Sequence, residues 1–328
     1  VVYMAGDFNE DLMNGAFFTE LKKEWNVVSS TENTFPTGQS TKRIDFVVAL
    51  KSPATSVVKS NVVYNLDGVN VSMASDHYPL YCDFRKVTAL EEFPKAAGDL
   101  RIANYFTKNC AGTDGIIDYD RIAAVINKMN SDIICLQGLD KETERSSGID
   151  QLNTLAQKSN MYDYFAKAID YKGGEFGVGI LTKDEAISVD RYQMPGKSEM
   201  RAAMVVEYEK FVVASTNFDT DMAKRIEALQ TLHTKLSAYN KPAFLAGYFN
   251  EGNLESDFFK KVKEDWNLLS ADKSTENGGK QRRLDFIVSL KDHGVTVTQA
   301  DVMEYLTGAD VATASSHYPL FCDFTGLK

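Results

Sequence analysis

Short apolar runs between turn-forming residues predict strands along most of the chain. In residues 99–328 these runs are Leu100–Tyr105, Asp132–Gln137, Val178–Thr182, Ala202–Tyr208, Phe211–Asn217, Ala243–Phe249, Leu284–Leu290 and Pro319–Phe324. Apolar residues at helical spacing predict helices between them. These faces are Ile122, Val125, Ile126 and Met129; Leu229, Leu232 and Leu236; Phe18, Leu21 and Trp25; and Phe259, Val262 and Trp266. The mixture predicts an α/β fold with two sheets face to face and helices outside.

The pattern also repeats. Residues 3–84 run from Tyr-Met-Ala-Gly-Asp-Phe-Asn-Glu to Ser-Asp-His-Tyr-Pro-Leu-Tyr-Cys-Asp-Phe. Residues 243–324 run from Ala-Phe-Leu-Ala-Gly-Tyr-Phe-Asn-Glu to Ser-Ser-His-Tyr-Pro-Leu-Phe-Cys-Asp-Phe. The period has the size of a domain, so we interpret it as a tandem duplication and not as a solenoid.

Only the second copy is preceded by about 145 further residues of predicted strands and helices. We therefore expect residues 1–87 to be the C-terminal half of one domain, residues 88–98 to be a linker, and residues 99–328 to be a complete domain. The chain begins within an apolar run and has no signal-like segment, which favours a processed or truncated product.

Composition narrows the possible functions. The 328 residues are 44% hydrophobic and 25% charged, which is the balance of a globular protein. No apolar run approaches the length of a membrane-spanning helix, so we expect a soluble protein without a membrane span. A secreted or periplasmic location stays open. A net charge of −10 does not favour a partnership with nucleic acid, although a local basic groove is not excluded.

Polar residues interrupt the apolar strands of the first copy. Asp7 and Asn9 follow the first run, Asp45 lies inside Arg-Ile-Asp-Phe-Val-Val, and Asp76 and His77 precede Tyr-Pro-Leu-Tyr. Carboxylates are costly to bury unless they are paired or bind a metal. A cluster rich in oxygen suits Mg²⁺ or Mn²⁺ better than zinc. An aspartate behind a histidine would orient the ring and favour its charged form. Each aspartate taken alone is better explained as a turn former or helix cap, but their joint pattern strongly weakens that explanation.

Together these segments resemble a known family. Gly6-Asp7-Phe8-Asn9, Arg43-Ile44-Asp45-Phe46 and Ser75-Asp76-His77-Tyr78-Pro79-Leu80 are similar, in order and spacing, to three C-terminal motifs of the endonuclease/exonuclease/phosphatase superfamily. The resemblance implies a DNase-I-like four-layer α/β/β/α sandwich. It also implies hydrolysis of a phosphate ester with the help of Mg²⁺ or Mn²⁺.

The resemblance assigns a role to each residue of the first copy. His77 would stabilise the phosphoryl group or donate a proton, and Asp45 would orient His77. Asp7 would polarise the attacking water, Asn9 would hold that water or the phosphate, and Asp76 would help to hold the metal. The family's other site residues, including a glutamate in Leu-Gln-Glu, belong to its N-terminal half, which the first copy does not show.

The second copy retains Asn250, Asp285 and His317, together with Asp219. Its other motif positions differ from those of the family. Phe106 replaces the first-strand Asn, Gly138 replaces the Glu, Asn217 replaces a His, and Tyr248 and Ser316 each replace an Asp. The lost carboxylates predict poor Mg²⁺ binding, and Tyr248 is expected to fill the cleft. Asp140 or Glu251 are considered as replacement ligands. We predict that residues 99–328 are catalytically inactive.

Three functions remain open. The parent protein is a phosphoesterase with one active and one inactive domain, in which case residues 1–87 need a missing N-terminal half or another chain. Alternatively, residues 99–328 are a non-catalytic module that binds a phosphate-bearing ligand or braces a partner. As a third alternative, the second copy has no role. Substrate choice lies in the loops of this fold, and the sequence does not decode them.

Overall fold

The computed structural model describes residues 2–50, 55–86, 93–279 and 281–328. The chain divides into two compact units. The first is formed by residues 1–91 with residues 278–280, and the second by residues 92–277 with residues 281–328.

The described part of the first unit has five strands and two helices. In chain order they are β1 (Tyr3–Asp7), α1 (Ala16–Glu24), β2 (Trp25–Val27), β3 (Asp45–Leu50), β4 (Thr55–Val62), α2 (Val71–Ala74) and β5 (Leu80–Lys86). The strands form one sheet in the order β1-β3-β2 and a second, two-stranded sheet β4-β5. Helix α1 covers the first sheet, because Phe18 packs there against Phe46 and Val48 in a small apolar cluster.

The second unit contains the longer series of elements. Its strands are β6 (Leu100–Phe106), β7 (Ile133–Lys141), β8 (Tyr162–Tyr171), β9 (Gly174–Thr182), β10 (Ser188–Met194), β11 (Arg201–Glu207), β12 (Val212–Asn217), β13 (Ala243–Tyr248), β14 (Trp266–Leu268), β15 (Asp285–Leu290), β16 (Val297–Val302) and β17 (Leu320–Phe324). Its helices are α3 (Tyr119–Met129), α4 (Gln151–Ser159), α5 (Met222–Leu236), α6 (Asp257–Asp265) and α7 (Val311–Ala314).

These strands build two six-stranded sheets, β10-β11-β12-β13-β15-β14 and β16-β17-β6-β7-β9-β8. Their inner faces share one apolar core, in which Met204 and Phe244 of the first sheet join Ile102 and Ile180 of the second. Helices α3 and α4 add their apolar faces to the outer side of the second sheet, and α5 and α6 pack on the outer side of the first. The second unit is therefore a four-layer α/β/β/α sandwich, as the sequence predicts.

Side-chain caps set the starts of several helices. Asp118 accepts a hydrogen bond from the backbone N–H of Arg121 at the start of α3. Asp221 caps α5 by accepting from the N–H groups of Ala223 and Lys224. Such caps satisfy donors that a helix leaves free in its first turn.

The elements of the first unit recur in the same order at the end of the second. The series β1, α1, β2, β3, β4, α2, β5 matches β13, α6, β14, β15, β16, α7, β17. The strand registers match too, since Asp7 is paired with Asp45 in the first unit and Tyr248 with Asp285 in the second. The correspondence places the two sets of candidate residues on equivalent strand ends.

The structure bears on two sequence predictions, the helical faces ending in tryptophan and the linker. The helical faces that include Trp25 and Trp266 are wrong at those residues, because both tryptophans have extended backbones and begin strands β2 and β14. Each tryptophan continues the helical spacing of apolar residues in the sequence, but its backbone is already that of the strand that follows the helix. Of the predicted linker 88–98, residues 88–92 lie outside the described residues. Within the rest, Phe93 packs on Phe321 and Lys95 pairs with Asp132.

In the described ranges of the chain, no helix combines the length and the apolar character that crossing a membrane requires.

Candidate functional site

In the second unit, the candidate site centres on a buried pair. Asp285 begins β15, and His317 lies between α7 and β17. The Nδ1 atom of His317 is 2.6 Å from Oδ2 of Asp285, and the hydroxyl of Thr275 donates to the same oxygen over 2.7 Å. The other oxygen, Oδ1, accepts from the side-chain amide of Asn104 over 3.3 Å. Every oxygen of this carboxylate is therefore engaged within the protein.

Two aromatic rings close the space beside His317. The ring centroids of Phe106 and Tyr248 lie 4.8 Å and 4.9 Å from that of His317, and 4.8 Å from each other. Burial raises the pKa of Tyr248 to about 12, so its hydroxyl stays protonated at neutral pH. The side chain of His317 is only 6% exposed. Together the two rings leave little of the imidazole surface open to solvent.

Sequence reasoning missed Asn104, which is the central amide of this network. It lies on β6, is fully buried, and accepts a hydrogen bond of 2.8 Å from the side chain of Gln137 on β7. Gln137 also donates to the hydroxyl of Ser215 on β12. An asparagine within an apolar strand is a signal that could have revealed it, because a buried amide requires partners. The network links strands from both sheets.

Gly138 follows Gln137 at a bulge in β7 and has a φ of +72°. A side chain is strained in that conformation. A β-carbon at Gly138 would also lie 3.2 Å from the ring of Phe106 and 3.3 Å from the backbone nitrogen of Lys108. The backbone at this point accommodates glycine and does not suit the glutamate that the resemblance leads us to expect.

The two carboxylates considered as replacement metal ligands are both paired with arginines. Asp140 accepts two hydrogen bonds of 2.7 Å from Arg145. Glu251 accepts one of 3.1 Å from Arg225. A guanidinium held in this way neutralises the charge that a divalent cation would need. Neither residue is placed to restore a metal site.

Two further candidate residues of the second unit, Asn250 and Asp219, are also bonded internally. Asn250 has a left-handed backbone, and its side-chain amide donates to the carbonyl oxygen of Phe218 over 2.7 Å and to Asn217 over 3.4 Å. Asp219 accepts from Arg201 over 3.0 Å. The site therefore presents few free polar atoms to a ligand.

The first unit has an equivalent pair in a more open setting. The Nδ1 atom of His77 lies 2.8 Å from Oδ2 of Asp45, and the two side chains are 26% and 19% exposed. The hydrogen bond to Asp45 raises the pKa of His77, and the charges of Asp45, Asp7 and Asp76 act in the same direction. The ring of Phe35, 4.9 Å away, is the described aromatic neighbour of His77.

The structure brings Asp7 close to this pair and leaves Asp76 exposed. Asp7 is the register partner of Asp45 at the end of β1. It accepts a hydrogen bond of 2.8 Å from the backbone N–H of Asn9, which has the same left-handed backbone as Asn250. The predicted residues of the first unit thus lie on one side of the β1–β3 pair and the loop that precedes β5.

The two units differ in how well their residues suit the hard cation that the fold resemblance implies. In the ranges that the structure describes, no three His, Cys, Asp or Glu side chains converge as a metal group. The second unit does not suit Mg²⁺. A glutamate ligand does not fit the backbone at Gly138, the ring of Tyr248 stands in the place of an aspartate, and Asp140 and Glu251 are paired with arginines. In the first unit the residue types near His77 are oxygen donors of the suitable kind.

Comparisons by sequence give no match: no family model fits the chain, and no curated protein is similar to it. Solved structures do match. One is an endonuclease/exonuclease/phosphatase from Bacteroides vulgatus, with a TM-score of 0.58 and 18% identity over 70% of this chain and 99% of that one. A mannosyl-6-phosphatase from Bacteroides thetaiotaomicron has a TM-score of 0.54 and 16% identity over 69% and 99%.

The human Nocturnin catalytic domain, solved with bound sulfate, has a TM-score of 0.54 and 17% identity over 73% of this chain and 99% of that one. At these identities the likeness concerns the fold. The matched share of the chain is close to the share that the second unit forms. The chain thus has the DNase-I-like fold of the endonuclease/exonuclease/phosphatase proteins.

Proposed function

We propose that this chain derives from a metal-dependent phosphoesterase, that residues 99–328 are a catalytically inactive domain, and that residues 1–87 carry the C-terminal half of a catalytic site. The phosphatases among the structural neighbours and the His–Asp pair in each unit support the first part. The single observation that carries the proposal is the contrast between the enclosed His317 and the accessible His77.

Duplication accounts for the two pairs. The matching order of elements, the matching registers of β1–β3 and β13–β15, and the left-handed Asn9 and Asn250 support descent from one ancestral half-domain. The copies then diverged at the positions that carry chemistry. Asp7 corresponds to Tyr248, so the copy that gained an aromatic ring is the copy whose histidine is covered.

In the first unit, the geometry supports a cationic His77. Its raised pKa favours a proton on the ring near neutral pH, and a positive imidazolium would stabilise a phosphoryl group or protonate a leaving oxygen. Asp45 orients the ring through Nδ1, which leaves Nε2 as the atom for this task. Asp7 and Asn9 would position water and phosphate, and Asp76 would help to hold Mg²⁺ or Mn²⁺ when bound.

Hydrolysis by the full chain tests this assignment. We would measure release of nitrophenol from p-nitrophenyl phosphate and bis(p-nitrophenyl) phosphate with Mg²⁺ or Mn²⁺. His317→Ala should leave the rate unchanged, because the domain that contains it does not catalyse. Any metal-dependent rate should be lost in His77→Ala. A rate that disappears in His317→Ala and persists in His77→Ala would refute the proposal.

Of the two non-catalytic roles for residues 99–328, we favour a structural role over ligand binding. Nδ1 of His317 is occupied by Asp285, and the side-chain amide of Asn250 donates to Phe218 and Asn217, so these donors are not directed to an anion. Titration of the full chain with inositol hexakisphosphate, mannose 6-phosphate and a short oligonucleotide tests this choice. We expect no saturable binding that depends on Asn250. Binding that is lost in Asn250→Ala would favour the ligand-binding alternative.

A further inference from the structure

Each sheet of the first unit ends in a strand with an unpaired edge. Among the described strands, β1 pairs with β3 alone, and β5 pairs with β4 alone. An open strand edge exposes a row of N–H and C=O groups that can pair with another strand. All five residues of β1 are exposed, including Tyr3 at 38% and Met4 at 39%.

The second unit shows what lies at these two edges in the complete fold. There β13, the counterpart of β1, pairs on its other side with the parallel strand β12. The counterpart of β5 is β17, which pairs on its other side with the antiparallel strand β6. As a result β13 is buried except at Tyr248, and every residue of β17 is buried. Both covering strands come from residues 99–242.

A charged position indicates the chemistry of a strand that would cover β5. Asp323 on β17 is buried and accepts two hydrogen bonds of 2.7 Å from Arg101 on β6. Its counterpart on β5 is Asp83, at the same place in Tyr-Cys-Asp-Phe. Asp83 is exposed, and its carboxylate pairs with no arginine in the described chain. A strand that covers β5 as β6 covers β17 would place a cation opposite Asp83.

The catalytic pair gives a second indication. In the second unit, Oδ1 of Asp285 accepts from the side-chain amide of Asn104, which lies on β6 opposite Leu320, three residues after Arg101. In the first unit, Asp45 bonds His77 through Oδ2, and no amide donor to its Oδ1 occurs among the described residues. The strand that brings a cation to Asp83 would thus also carry an amide toward Asp45.

We propose that the first unit binds a polypeptide half-domain equivalent to residues 99–242, which adds a parallel strand to β1 and an antiparallel strand to β5. The added half-domain carries an arginine opposite Asp83 and an amide donor near Asp45. Its binding buries β1 and completes a second four-layer sandwich around His77. The inference concerns an interaction surface and holds whether or not the completed site is active.

A dimer of this chain through the edges of β1 is a weaker explanation of the same surface. Pairing of two β1 strands would cover one open edge and leave that of β5 uncovered. It would also bring no cation to Asp83. Only an occupant with strands like β12 and β6 together accounts for both edges and the charge.

The test uses the full chain with a tagged polypeptide of residues 99–242 as the probe, co-expressed so that the probe meets its partner during folding. Amide hydrogen exchange should show new protection in β1 and β5 of the full chain when the probe is bound. No complex, or a complex that protects neither strand, would overturn the proposal. Protection of β1 in a dimer of the full chain without the probe would overturn it too.

Charge reversal makes the test specific. Asp83→Arg in the full chain should weaken capture by the probe by at least about tenfold, because two like charges would face each other across the interface. Arg101→Asp in the probe should restore capture by the Asp83→Arg chain. Asp67→Arg, at an exposed aspartate away from both edges, is the matched control and should capture the probe normally. The proposed pairing would be contradicted if Asp83→Arg and Asp67→Arg weakened capture equally. It would also be contradicted if the Arg101→Asp probe did not restore capture by the Asp83→Arg chain.

Discussion

His317 lies against the ring of Tyr248, with 4.9 Å between the ring centroids and an angle of 80° between the planes. This edge-to-face contact is a stable arrangement for two aromatic rings. In the second unit this contact holds the imidazole in a closed space. In the first unit, the position equivalent to Tyr248 is occupied by the carboxylate of Asp7. The ring in place of a carboxylate therefore removes a negative charge beside the histidine and, together with Phe106, covers it.

The pKa of His77 should depend on Asp45. Because the hydrogen bond to Asp45 is the main cause of the raised pKa, Asp45→Asn should lower it toward the ordinary value of about 6.5. NMR titration of the His77 ring signals measures the change. Asp67→Asn, remote from the ring in sequence and exposed, is the control. A pKa of His77 that is equal in the parent and in Asp45→Asn would contradict the assignment.

The same pair predicts a pH dependence of stability. A histidine whose pKa is higher in the folded protein than in the unfolded chain stabilises the fold below the unfolded pKa. That contribution disappears as the pH rises through the folded pKa of His77. Unfolding of the first unit should therefore show a loss of stability above pH 6.5 that is smaller in Asp45→Asn. An identical pH profile in both proteins would count against the pair.

Asp323 and Asp83 should differ sharply in their contribution to stability. Asp323→Asn leaves Arg101 buried without its partner charge, which should destabilise the second unit by about 3 kcal/mol. Asp83→Asn at the exposed equivalent should change the first unit by less than about 0.5 kcal/mol.

The two tryptophans separate these effects. Trp266 is buried in the second unit, and Trp25 lies in the small apolar cluster of the first. Denaturant unfolding in a Trp25→Phe background reports the second unit, and a Trp266→Phe background reports the first. Similar destabilisation by Asp323→Asn and Asp83→Asn would show that the two aspartates share one environment, contrary to the structure.

Gly138 should resist conversion into the family's glutamate. Gly138→Ala forces a side chain into a left-handed backbone and should cost about 1–2 kcal/mol. Gly138→Glu should be destabilised at least as much and should gain no Mg²⁺ affinity by calorimetry. The control is Gly294→Ala, at an exposed glycine whose added β-carbon would meet open space. Tight Mg²⁺ binding by Gly138→Glu would show that only the side chain is missing.

The fold could be predicted well from the sequence where burial is continuous. The run at 243–249 became β13 and the face of Ile122 and Met129 became α3, because apolar periodicity follows directly from packing. Strands β8, β10 and β16 were missed. Most of their residues are exposed or half-buried, so polar residues break the apolar run that would reveal them.

The site could be predicted only in part. The partnership of each Asp with its His follows from motif order, and both pairs have the expected contact. The arginines that hold Asp140 and Glu251 could not be foreseen, since ion pairs depend on how loops fold back. The covering of His317 by Phe106 could not be predicted from the sequence either, because Phe106 and its neighbour Tyr248 lie on strands of different sheets.

Reaction of the histidines with diethyl pyrocarbonate tests most directly the claim that one copy of the site is open and the other closed. The reagent acylates the neutral imidazole, so the full chain is treated briefly at a pH above the raised pKa of His77, and peptide mapping then separates His77 from His317. The structure predicts that His77 reacts several times faster, and that Tyr248→Ala accelerates the reaction of His317 while Tyr248→Phe leaves it slow. Equal reaction rates of His77 and His317 in the parent chain would contradict the account.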